Sequence, residues 1–169
     1  MPHFIDFSRL QKWKSKAFNI TSYERIDLLP NTDGYRWSYS DLSLEEKIPV
    51  SQEADYTLAI INSPLDGNFY ARRLQNNRII ISTFEIADIL AASDIPLENY
   101  VLRMLYKYSI TYKQSHKIPV TGEGILSHDE TRVCLFDMTP IKTDLAYSTE
   151  RLGLCDECKA DLKRSGVPA

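Results

Sequence analysis

Four residues in the last third of this 169-residue chain are of the types that hold a metal ion: His128, Cys134, Cys155 and Cys158. They run as His128-x5-Cys134-x20-Cys155-x2-Cys158. Zinc favours four soft or borderline ligands in a tetrahedron, and three thiolates with one imidazole are a common structural set. A Cys-x-x-Cys pair can turn back on itself and offer both sulfurs to one ion. A helix after Cys158, expected over Lys159 to Arg164, would aim its amide dipoles at the metal-bound thiolates. The set uses all three cysteines of the chain. Four protein ligands close the shell, whereas a catalytic zinc keeps a position open for water. The expectation is therefore one structural zinc per chain. It would staple a span that has little apolar content of its own, as zinc often does for small segments. The bland alternative is a reduced Cys155/Cys158 pair, a core Cys134 and a surface His128. A redox use of Cys155 and Cys158 is disfavoured, because such motifs usually follow a strand in a thioredoxin-like unit.

Other chemistry-bearing residues carry weaker patterns. Asp66, Glu85, Asp88 and Asp94 could be imagined as a nuclease-type metal cluster, but nothing in their spacing brings them together. Ser82 and Glu85 have the spacing of a capping box, and Asp94 stands at a helix start. His128-Asp129-Glu130 invites a general-base reading, which a zinc-bound imidazole would not permit. Arg72, Arg73 and Arg78 could receive an anion or an acidic partner surface; a solvated loop is the default. His3 and His116 are isolated. Tyr35, Trp37, Tyr39, Tyr70, Tyr106, Tyr108 and Tyr112 supply aromatic surface for a core or a protein contact.

The elements that must position these groups follow from periodicity. The first 30 residues read as one or two short helices, with Phe4, Phe7, Leu10 and Trp13 recurring at helical spacing. Asn31 to Gly34 predicts a turn, residues 35–39 a half-buried strand, and residues 40–55, with Pro49, a surface connection. Residues 56–61 and 78–83 read as strands, the second built on Ile79-Ile-Ile81 and covered on both faces. Residues 68–77 between them read as a polar segment ending in a turn. A helix is predicted over 83–92. A second begins at Pro96 and ends near Lys113, with Leu97, Val101, Met104, Leu105 and Tyr108 as its apolar stripe. Residues 114–127 read as a loop. The expected organisation is 1–55 as N-terminal helices and strand within one domain, 56–127 as a strand/helix core, and 128–169 as the zinc-binding tail. The expected class is α+β, a small mixed sheet with helices.

Composition narrows the function. The formal net charge is -3, with 25% charged residues, so a general nucleic-acid binder is not indicated. No apolar run reaches the roughly 20 residues needed to cross a bilayer. The N-terminus lacks an apolar signal core, so the expected location is cytoplasmic, without a membrane partner.

The order strand, polar loop, strand ending Ile81-Ser-Thr83, helices, then cysteine-bearing tail resembles the C-terminal half of the archaemetzincin-type zincin metallopeptidases. The tail residues that carry the likeness are Cys134-Leu-Phe-Asp-Met138, Lys142, Asp144, Leu154-Cys155-Asp-Glu-Cys158 and Leu162. The resemblance covers about residues 56–162 and is most specific in the tail. In that family the active-site helix carries HExxHxxGxxH, and a four-cysteine structural zinc motif follows, ending in CxxC. Here the corresponding helix, residues 98–110, has no histidine. A catalytic zinc of that kind needs two imidazoles one turn apart and a glutamate between them. His128 stands where the family has its first structural cysteine. The resemblance thus implies a zincin-like scaffold that lost its protease site and kept its structural zinc. The expected function is a non-enzymatic, zinc-stabilised binding or scaffold subunit whose partner is another protein. The rival expectation is a divergent metal-dependent hydrolase, peptidase or nuclease, acting as an effector.

Overall fold

The computed structural model describes residues 5–28 and 37–167. The expected turn at 31–34, the first two residues of the expected strand at 35–39, and His3 and Phe4 lie outside them; of the remainder of that strand, only Tyr39 pairs, in an isolated bridge to Leu65. The chain is α+β, with one small three-stranded mixed sheet and six α-helices among the described residues. It divides into two compact units.

The sheet unit is Ile20–Phe84 with Ile118–Gly124. The first helix of the chain, α1 (Phe7–Lys12), belongs to the other unit. The sheet unit holds α2, Asp41–Lys47, inside the stretch expected to be a surface connection. The helix has a local cause. Ser40 caps the helix by accepting the Ser43 N–H at 3.2 Å, Asp41 and Lys47 suit the two dipole ends, and Leu44 is fully buried. Strands β1 (Thr57–Ile61), β2 (Ala71–Leu74) and β3 (Arg78–Ser82) lie in the order β1-β3-β2. β1 runs parallel to β3 with Ile60 opposite Ile81, and β2 runs antiparallel with Leu74 opposite Arg78. Every residue of the central β3 is buried, as its isoleucine run predicts. The segment expected to be polar connection therefore contains a strand. Asn76 and Asn77, at φ 58° and 54°, close the β2–β3 hairpin in the left-handed region that asparagine tolerates. Tyr39, Leu44, Ile48, Leu65, Leu74 and Ile80 form the core.

The three arginines are structural members of this unit, not a solvated loop. Arg72 grips Asp41 through two hydrogen bonds of 2.8 and 2.6 Å and lies over the Phe69 ring. Arg73 donates to the Glu123 carbonyl at 2.8 Å. Arg78, 4% exposed, donates to the carbonyls of Gln75, Glu45 and Ile48 at 2.7–2.9 Å. The last two are carbonyls that the end of α2 leaves without helical partners.

The helical unit is Met1–Asn19, Glu85–Lys117 and Ile125–Ala169. It contains α1, α3 (Ile86–Ala92), α4 (Leu97–Ser115), α5 (Leu145–Glu150) and α6 (Asp156–Arg164). Asp6 caps α1 by accepting the N–H groups of Ser8 and Arg9. The capping box expected at Ser82 and Glu85 does not form. Ser82 Oγ instead accepts the Phe84 N–H and donates to the Ser63 carbonyl. Glu85, at φ 65°, pairs with Lys142 at 3.0 Å. Asp94, at φ 56°, does not cap α4 either; Pro96 occupies that position without a side-chain bond. On α4 the predicted stripe is buried at Val101, Met104, Leu105 and Tyr108. His116 ends α4 in the left-handed conformation. A 3-10 turn, Lys142–Asp144, leads into α5, which packs with α3 and α4. Among the described residues no helix is long and apolar enough to cross a membrane.

Candidate metal centre

The C-terminal part of the helical unit folds around a knot of main-chain bonds. His128 forms a short parallel bridge with Asp137: its N–H donates to the Phe136 carbonyl at 3.3 Å, and its carbonyl accepts the Met138 N–H at 2.9 Å. Leu135 N–H donates to the Gly153 carbonyl at 2.7 Å, which draws the 134–136 stretch against the approach to Cys155. Cys155 is the N-cap of α6, so Cys158 falls on its first turn and both sulfurs face the same end of the helix. Asp156 and Glu157 complement the positive end of the helix dipole, and Glu157 pairs with Arg132, which also pairs with Glu130.

This packing brings His128, Cys134, Cys155 and Cys158 together. One ligand atom from each lies within 4.8 Å of all the others. Zinc bonds of about 2.3 Å to sulfur and about 2.0 Å to nitrogen, set tetrahedrally, put ligand atoms roughly 3.5–3.8 Å apart. His128 Nε2 and Cys155 Sγ are already 3.6 Å apart. The four groups are therefore close enough to hold one metal ion. Cys134 and Cys158 are buried, while His128 and Cys155 are half-buried. Among the described residues this is the only group of three or more His, Cys, Asp and Glu side chains placed to hold a metal. Asp66, Glu85, Asp88 and Asp94 form no such group.

The sulfurs sit in a donor-rich setting. Cys134 Sγ accepts from the N–H of Cys155 at 3.3 Å and of Phe136 at 3.5 Å. Such N–H···S bonds stabilise a thiolate. Burial opposes ionisation of Cys155, but hydrogen bonds from the Cys158 amide and thiol, Cys134 and His128 outweigh it and bring its pKa down to about 7. Burial comes first for Cys158 too, and with its cysteine neighbours it pushes that thiol up. Cys155 and Cys158, three residues apart, are thus driven in opposite directions. A cation is what would allow all three sulfurs to ionise together.

Sequence reasoning missed Asp137. Its fully buried carboxylate accepts the N–H groups of Cys134 at 2.9 Å and Arg132 at 3.1 Å. Arg103, fully buried on α4, donates to the Asp137 carbonyl at 2.6 Å. An acid three residues past a cysteine in an otherwise apolar run is the signal that could have found it.

Beside the centre, Trp13, Asn99, Leu102, Tyr106, Leu135 and Leu154 are among the residues lining a cleft of about 480 Å³ along α4. No carboxylate, imidazole or thiol lines it. No protein-family model matches the chain, and neither a curated protein nor a solved structure matches it. Fold and site together define an α+β protein with a candidate Cys3His metal centre.

Proposed function

We propose that this chain is a non-enzymatic, zinc-stabilised binding or scaffold subunit on a degenerate metallopeptidase-like framework. The observation that carries the reading is the closed donor set of three sulfurs and one imidazole within 4.8 Å. Such a set suits zinc over hard cations, which prefer oxygen, and leaves no position for a reacting water. The framework part rests on the order of strands and helices before the Cys134–Cys158 motif, and on α4 carrying no histidine. The apolar lining of the cleft beside α4 suits a protein contact better than hydrolysis.

The test is metal analysis and hydrolysis assays on the purified chain. One zinc per chain is expected, lost on Cys155→Ser, with no metal-dependent cleavage of peptides or nucleic acid. Zinc retained in Cys155→Ser would sink the structural site. A second, exchangeable metal that supports hydrolysis would establish the enzyme instead.

A further inference from the structure

Asp137 is fully buried, yet its carboxylate is surrounded by donors. Oδ2 accepts the Cys134 N–H at 2.9 Å, and both oxygens accept the Arg132 N–H at 3.1 and 3.2 Å. Those two amides flank Val133, whose φ of 56° puts a β-branched residue in the left-handed region. That conformation is strained for a β-branched side chain and persists only where its surroundings enforce it. Asp137 bridges the strained residue on both sides and so holds the turn that delivers Cys134.

The same carboxylate reaches the imidazole. Oδ1 lies 3.0 Å from His128 Nδ1, which also lies 3.0 Å from the Glu130 carbonyl oxygen. A carbonyl oxygen can only accept, and so can an ionised carboxylate. Nδ1 must then carry the proton, and the lone pair falls on Nε2, the nitrogen 3.6 Å from Cys155 Sγ. We infer that Asp137 is the positioning residue of the metal centre: it holds His128 as the Nδ1–H tautomer, with Nε2 as the ligand, while locking the turn at Cys134. The inference rests on the zinc reading of the centre. It extends the site from four residues to five, with Asp137 acting through His128 and not on the metal. Carboxylates in this relation to a histidine ligand typically contribute about 10–100-fold in metal affinity.

A double-mutant cycle separates the tautomer role from the turn role. Zinc affinity is measured by chelator competition for the wild type, Asp137→Asn, His128→Cys and the double variant. A cysteine has no second N–H to orient, so only the turn contribution of Asp137 survives in the His128→Cys background. Asp137→Asn is expected to weaken zinc binding about 10–100-fold in the wild-type background and clearly less with His128→Cys. Equal losses in both backgrounds would overturn the positioning role. Long-range proton–nitrogen correlation on the zinc-loaded wild type reads the tautomer without any variant. Protonated Nδ1 and coordinated Nε2 are expected; coordination through Nδ1 overturns the inference. Failure of the wild type to take up zinc would instead overturn the zinc reading itself, and the inference with it.

Discussion

Cys155 and Cys158 are three residues apart but sit in opposite electrostatic settings. Cys155 is half-buried at the mouth of α6, where amide and thiol donors converge on its sulfur. Cys158 is 1% exposed, and burial dominates it. A depressed pKa means the thiolate predominates above about 7 and is lost as pH falls below it. In the metal-free protein, alkylation at Cys155 should therefore rise through half-maximum near pH 7, with Cys158 lagging well behind. Zinc should protect all three cysteines, because the reactive lone pairs are engaged. Peptide mass spectrometry after timed alkylation across pH reads both effects. The cysteine types and spacing were legible in the chain. The difference between the two sulfurs was not, because it comes from burial and from Cys134 and His128, which are distant in sequence.

Elements were legible where their signal is local. The stripe of α4 and the isoleucine run of β3 survive folding because each element's burial matches its own periodicity. The β2 strand was hidden because Arg72 and Arg73 look like solvent-facing residues. Their partners, Asp41 and Glu123, lie 31 and 50 residues away. α2 was hidden by Pro49 and by a single buried leucine, although the Ser40 cap and the dipole-matched ends were present in the chain. Arg78 is the clearest case of a charged residue acting as architecture. It satisfies two carbonyls at the end of α2 with bonds of 2.7 Å while lying in β3. Arg78→Met should preserve much of the side-chain volume yet strand those acceptors, at a cost of about 2–3 kcal/mol. A fall in the urea midpoint with unchanged slope would show it. An unchanged midpoint would mean that water replaces the guanidinium without penalty.

At the scale of the whole molecule, the candidate metal centre and the core of the C-terminal segment are one structure. Cys134 and Cys158 pack in the same cluster as Leu135, Phe136, Leu162 and Val167. The thiolates that would bind the metal are thus also the walls of the local core. Chelation should then loosen residues 125–167 together, since metal binding and folding are linked in such segments. β3 and its partners are in the other unit, with a separate core of Leu44, Leu65, Leu74 and Ile80. Hydrogen exchange after chelator treatment should accelerate across 125–167 and leave the β1–β3 amides protected. Uniform acceleration, or none, would contradict a local staple.

By itself, the sequence determined the donor types, their spacing, the presence of a C-terminal helix, which begins at Asp156 and so takes in Cys158, and the absence of histidine from α4. Those properties belong to residues near one another in the chain, and side-chain chemistry and periodicity express them directly. Tertiary structure alone decided that the four donors converge within 4.8 Å, that Arg72, Arg73 and Arg78 bond within the sheet unit, and that Asp137 stands behind His128. Each of these depends on which distant segments meet, and that is set by the joint burial of many side chains.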